Sequence, residues 1–81
     1  MTRAEELRDI MKDRIRANEG EIRRLARSIE TNAKSDPVVF ADSIASDADK
    51  LVQIKEELSA QEGVLSMLDA IIDEKHEEET L

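Results

Sequence analysis

The chain has no cysteine, tryptophan or tyrosine, one phenylalanine, one proline, one histidine and two glycines in 81 residues. Each shortage closes off a class of structure. Without cysteine there is no disulfide and no thiolate metal site, a composition that fits a reducing compartment. With so little Gly and Pro, a β-rich or loop-rich fold lacks the turn residues it needs. The longest apolar run is Val38-Val39-Phe40-Ala41, far below the roughly 20 residues that cross a bilayer. The opening Met1-Thr2-Arg3-Ala4-Glu5-Glu6 has no apolar core of the signal-peptide kind, so the expected location is cytoplasmic, with no membrane partner.

What is abundant is charge. Charged residues make up 40% of the chain and the net charge is −8, a balance suited to long, exposed helices. The acid is unevenly placed. Residues 1–34 carry nine Lys/Arg against seven Asp/Glu, and residues 35–81 carry three against thirteen. The halves therefore differ in sign, which suits packing side by side. The surplus acid serves solubility, or it is aimed at a basic partner.

The organising stretch is Ile44 to Ile72. Read in sevens it carries Ile44, Leu51, Leu58, Leu65 and Ile72, with Ile54, Gln61 and Leu68 on the companion track and Phe40 upstream. This is a heptad seam on a helix about 45 Å long. A single apolar stripe needs a partner surface. The first half of the chain supplies one. Met11, Ile15, Asn18, Ile22, Leu25 and Ile29 are spaced 4, 3, 4, 3, 4, with Ala4 and Leu7 extending the apolar positions toward the start. Thr2 followed by Glu5 matches a capping box, so this helix starts at Arg3.

Lys34-Ser35-Asp36-Pro37 is the breakpoint. Pro37 disfavours helix just before itself and suits the first position of a new helix, with Asp36 or Ser35 as cap. The expected layout is one domain: helix one over 1–33, a turn at 34–36, helix two over 37–75 and a frayed acidic tail at 76–81. Ser46 with Asp49 offers a second cap and hence a break near 45–47; the unbroken heptad track favours continuity. A turn this short makes the helices antiparallel neighbours. The fold class is all-α, a coiled-coil-like helical hairpin expected to assemble into a four-helix bundle or larger helical oligomer.

Folding the seams together pairs positions whose numbers sum to roughly 76–79. That sets Leu25 against Leu51 or Ile54, Met11 against Leu65 or Leu68, and Leu7 against Ile72. It also predicts ion pairs Arg27–Asp49, Arg23–Glu56 and Arg3–Asp73. Asn18 and Gln61 fall within a turn of each other, a polar pair on the seam that sets register at some cost in stability.

Catalytic equipment is sparse. The single imidazole, His76, lies in the tail, so no Ser-His arrangement is in view. Asp73 and His76 have a di-iron spacing, but the seams offer no inward carboxylates to complete it. Asp47-Ala48-Asp49 opens like a calcium loop, yet Leu51 and Val52 stand where a ligand and the turn glycine belong. Gly20 and Gly63 are too far apart for a phosphate loop. No metal, cofactor or enzyme activity is expected. Arg23, Arg24 and Arg27 form the one nucleic-acid candidate; without interleaved aromatics it points away from nucleic acid as a partner.

Two surfaces remain. Behind helix two lie Ala45, Val52, Ser59, Ala60, Gly63, Ser66, Met67 and Ala70, small where Lys and Glu would be usual, with Val64 and Ile71 flanking the seam. Gly inside a helix costs about 1 kcal/mol relative to Ala, which points to a close backbone approach at Gly63. Ser59, Gly63, Val64, Ser66, Met67, Ala70 and Ile71 are therefore the self-association candidates, for a homodimer. At the tip, Val38, Val39 and Phe40 cannot all turn inward, because successive helical residues point about 100° apart. Either the tip folds over the end of helix one, or with Asp36 and Asp42 these residues form an acid-rimmed apolar spot for an unidentified protein. The expected function is a non-enzymatic protein–protein interaction module: regulator, assembly factor or chaperone-like adaptor. The alternative is a small acidic inhibitor, of the phage type, that blocks or mimics a nucleic-acid-binding surface.

Overall fold

In the computed structural model, which describes the backbone of residues 2–80 and the side chains of residues 2–75, the chain is two antiparallel helices packed along their length. The first, α1, spans Arg3–Ser35; the second, α2, spans Ala41–Thr80. The hairpin measures 64 × 16 × 15 Å.

Helix α1 starts where the capping box places it. The Glu5 amide donates to the Thr2 hydroxyl oxygen at 3.2 Å, and that hydroxyl donates to a Glu5 carboxylate oxygen at 3.0 Å. These bonds hold the Glu5 carboxyl below its ordinary titration range, the Thr2 side chain contributing most. The other end is made by Asp36. Its amide donates to the Asn32 carbonyl at 3.1 Å, closing α1. Its carboxylate accepts from the amides of Val38 at 3.1 Å and Val39 at 3.2 Å, and its carbonyl accepts from the Phe40 amide at 3.0 Å. One residue thus ends one helix and caps the turn that leads into the next.

The boundaries differ from the sequence expectation. Helix α1 runs two residues past 33, because nothing before Asp36 breaks it. Helix α2 starts at Ala41 instead of Pro37, since Pro37–Phe40 form a capped turn before the ladder begins. It passes 45–47 without a break and continues beyond 75 to Thr80; no Gly or Pro interrupts that stretch, and Glu and Lys are good helix formers. The side chains of 76–80 and all of Leu81 lie outside the described residues, and with them His76.

The core is the predicted seam. Ile15, Leu25 and Ile72 are buried together with Gln61, and Leu25 is sealed completely. Met11, Ile22, Ile29, Ile44, Leu51, Ile54, Leu58, Leu65 and Leu68 are half-buried. Leu7 departs from expectation: it is 36% exposed and stands beside the seam. Leu7, Met11 and Ile15 are spaced by fours, and two fours in succession leave a 3.5-residue track. Arg8 takes the inward place, its aliphatic stem half-buried.

Two measurements check the ends. Asp36→Ala should lower unfolding stability by about 1 kcal/mol in urea titration, through loss of the cap. The Glu5 carboxyl should titrate below a free glutamate, and Thr2→Ala should raise its midpoint. A depressed acid helps the folded state above its unfolded pKa, and that help fades as pH falls through its folded value; helicity at the start of α1 should fade in the same acid window.

Candidate interaction surfaces

Polar contacts across the seam come first, because they set which residues face each other. The Asn18 amide Nδ2 donates to Gln61 Oε1 at 2.9 Å. Both sit on the core tracks, and Gln61 is only 8% exposed. Gln61 Nε2 in turn donates to Glu57 at 3.4 Å. A second crossing bond joins Ser28 Oγ to Asp47 Oδ2 at 2.9 Å. Sequence reasoning passed over it; Asp47 lies seven residues before Ile54 on the seam track, which was the available signal. Beside it Ser28, Asn32, Asp42, Ser43, Ser46 and Asp47 line a shallow crevice of about 400 Å³, wide open to solvent.

The expected ion pairs between helices do not form. Arg23 pairs with Glu19 at 3.6 Å and Arg3 with Glu6 at 3.4 Å, and every ion pair among the described residues lies within α1. The reason is position: Arg23, Arg27, Asp49, Glu56 and Asp73 occupy outer heptad places that point away from the partner helix, while i,i+3 and i,i+4 neighbours are within reach. The Arg24–Glu21 pair lowers the Glu21 carboxyl and raises the Arg24 guanidinium relative to their ordinary values, chiefly through the hydrogen bond between them. Lys50, on α2, also favours the charged Glu21.

Heptad position orients the hairpin. Glu21 and Lys50 occupy the same flanking heptad position on their helices, so equivalent flanks lie on one side, as antiparallel packing requires. Leu7, Val64 and Ile71 share that flank. Ile10 and Met67 stand just outside it. All five are exposed, Ile10 at 44%, Val64 at 43%, Met67 at 67% and Ile71 at 45%. The other flank carries Glu5, Lys12 and Glu19 on α1, and Lys55, Glu62 and Asp69 on α2.

The remaining self-association candidates are placed differently. Ser59, Gly63, Ser66 and Ala70 are exposed on the back of α2. A Cβ built at Gly63 meets nothing within 4 Å, and the same holds for Gly20, so no close approach within the chain explains either glycine. At the tip, Val38 is 84% and Val39 70% exposed. They do not fold over the end of α1, because the Asp36 cap holds their amides inward and turns their side chains out. Phe40 is 36% exposed and sits on the turn, half off the seam it was expected to join. Asp42 faces the polar crevice.

Among the described residues no group of three His, Asp or Glu converges to hold a metal, and no helix is long and apolar enough to cross a membrane. The molecule is an all-α two-helix hairpin whose distinctive features are exposed faces. No family model, curated protein or solved structure matches the chain.

Asn18→Ala should cost about 1–3 kcal/mol, by leaving Gln61 without its donor in a buried site. A double-mutant cycle with Gln61→Ala should show coupling of about 0.5–3 kcal/mol. Additive losses would mean the pair does not set register.

Proposed function

We propose that this protein is a non-enzymatic helical interaction module that works as a homo-oligomer, a dimer forming a four-helix bundle, and binds another protein through its tip. The observation that carries the reading is the pair of exposed valines, Val38 and Val39, beside Asp36 at the turn. Apolar side chains held out by a cap, with acid around them, have the make-up of a small binding anchor. Self-association is supported by the half-buried seam and the exposed Leu7, Ile10, Val64, Met67 and Ile71. An 81-residue hairpin with one seam is short of core for its length.

A second reading follows from the thirteen acidic residues against three basic ones in residues 35–81: a small acidic inhibitor that occupies a nucleic-acid-binding surface of its target. The two separate on salt. A mimic's affinity falls steeply between low and physiological ionic strength, whereas an apolar anchor's changes little.

The test uses two baits from the native host, wild type and Val38→Ser/Val39→Ser. The protein retained by the first and lost from the second is the partner. Melting temperature and oligomer size should be equal for both baits. A large fall in melting temperature in the double variant would make the valines structural and remove the tip as a binding site.

A further inference from the structure

Resting on the self-association reading above, we infer that the second copy docks on the flank carrying Leu7 and Val64, with the open ends of the two hairpins overlapped and their tips pointing in opposite directions.

The elongated hairpin leaves more surface open than a compact chain of its mass. A compact chain of 9.2 kDa exposes about 4,900 Å². This one exposes 6056 Å². The excess, about 1,100 Å², exceeds the roughly 800 Å² that each partner loses in a standard interface.

The flank is patterned for a helix partner. On α2, Ala60, Val64, Met67 and Ile71 are spaced 4, 3, 4, and all are exposed. On α1, Leu7, Ile10, Arg14 and Ala17 are spaced 3, 4, 3, and all are exposed. These are second heptad seams beside the first. In the hairpin's register, where facing positions sum to about 76–79 and Asn18 bonds Gln61, the two stripes are centred at the same height. One two-fold axis perpendicular to the hairpin can therefore pass through both centres.

That axis pairs unlike sizes. Ala60 meets Ile71 of the second copy, and Val64 meets Met67. Leu7 meets Ala17, and Ile10 meets the stem of Arg14. Large opposite small is how facing layers interdigitate. The parallel alternative, tips together, sets Leu7 against Ile71 and Ala17 against Ala60, crowding one layer and leaving a gap in another. It also puts the acidic tips of both copies at the same end, with Asp42 of each level with Asp36 of the other. In the opposed arrangement the acidic tips are held apart. The stripe stops at Glu57 and Glu74 on α2 and at Glu21 on α1, which limits the overlap to the open half.

The absence of cysteine makes a single Ser35→Cys a unique spin-label site at the tip end of α1. The experiment combines light scattering, dipolar distance measurement between Ser35→Cys labels, and three variants: Met67→Glu and Ile10→Glu on the flank, and Val52→Glu, exposed on the opposite side of α2. The expected result is a dimer at tens of micromolar with labels about 70 Å apart, from the helical rise of about 1.5 Å per residue. Met67→Glu and Ile10→Glu should each raise the dimer dissociation constant at least tenfold, and Val52→Glu should leave it unchanged. Circular dichroism at dimer-forming concentration separates lost docking from lost folding, because Val52→Glu adds the same charge to the same helix. A dimer with labels within about 30 Å, a separation of two to three helix diameters, overturns the opposed arrangement. A dimer that survives both flank variants but is broken by Val52→Glu moves the interface to the back of α2 and overturns the flank, while self-association stands. A wild-type monomer at all concentrations removes both.

Discussion

The constraint on which this structure depends is that two long helices share a single seam. Each helix has one track that runs its full length, and in the hairpin that track is covered only by the other helix. Burial is consequently narrow: Leu25 is sealed, Ile15 and Ile72 nearly so, and the rest of the seam is only half-covered. In a bundle of three or four helices a core position is enclosed on all sides. In a hairpin the flanks of the seam stay open, and the residues there decide what else the molecule touches. Here one flank is charged and the other is apolar over its open half.

Polar groups give this seam its alignment. An apolar heptad track accepts a slip of one repeat with little loss, since each seven residues resemble the next. Asn18 and Gln61 break that equivalence by bonding across the core, and Ser28 with Asp47 repeats the device nearer the tip. A slipped hairpin would bury these groups without partners, which costs more than the bonds contribute when made. Ion pairs do not share the task. Among the described residues they run along α1, mostly between exposed neighbours one turn apart, so each adds little. The opposite charges of the two halves act at longer range and favour the side-by-side arrangement without choosing its alignment.

The hairpin's two ends have different character. At the tip, Asp36 satisfies amides on both sides of the corner, and the tightness of that corner turns Val38 and Val39 outward. At the open end, the apolar residues beside the seam belong to both helices. The proposed roles follow this division, with a partner at the tip and a second copy over the open half.

Much of the fold was legible before any coordinates. The heptad spacing in each half, the Thr2–Glu5 box and the Ser35-Asp36-Pro37 corner are local patterns, and local patterns act through neighbours within a turn or two. They determined two helices, their antiparallel order, the seam residues and the Asn18–Gln61 pairing. The structure decided what depends on the azimuth of each side chain once the helices are docked. It set Leu7 beside the seam and put Arg8 in its place, kept Arg23 and Arg27 away from their expected acids, and gathered Leu7, Ile10, Val64, Met67 and Ile71 from sequence-distant helices onto one side. The sequence alone showed Val64 and Ile71 beside the α2 seam and missed Leu7 and Ile10, the α1 half of that flank. Spacing along one helix says which residues share a stripe; only the docking of one helix on another says which stripes become neighbours.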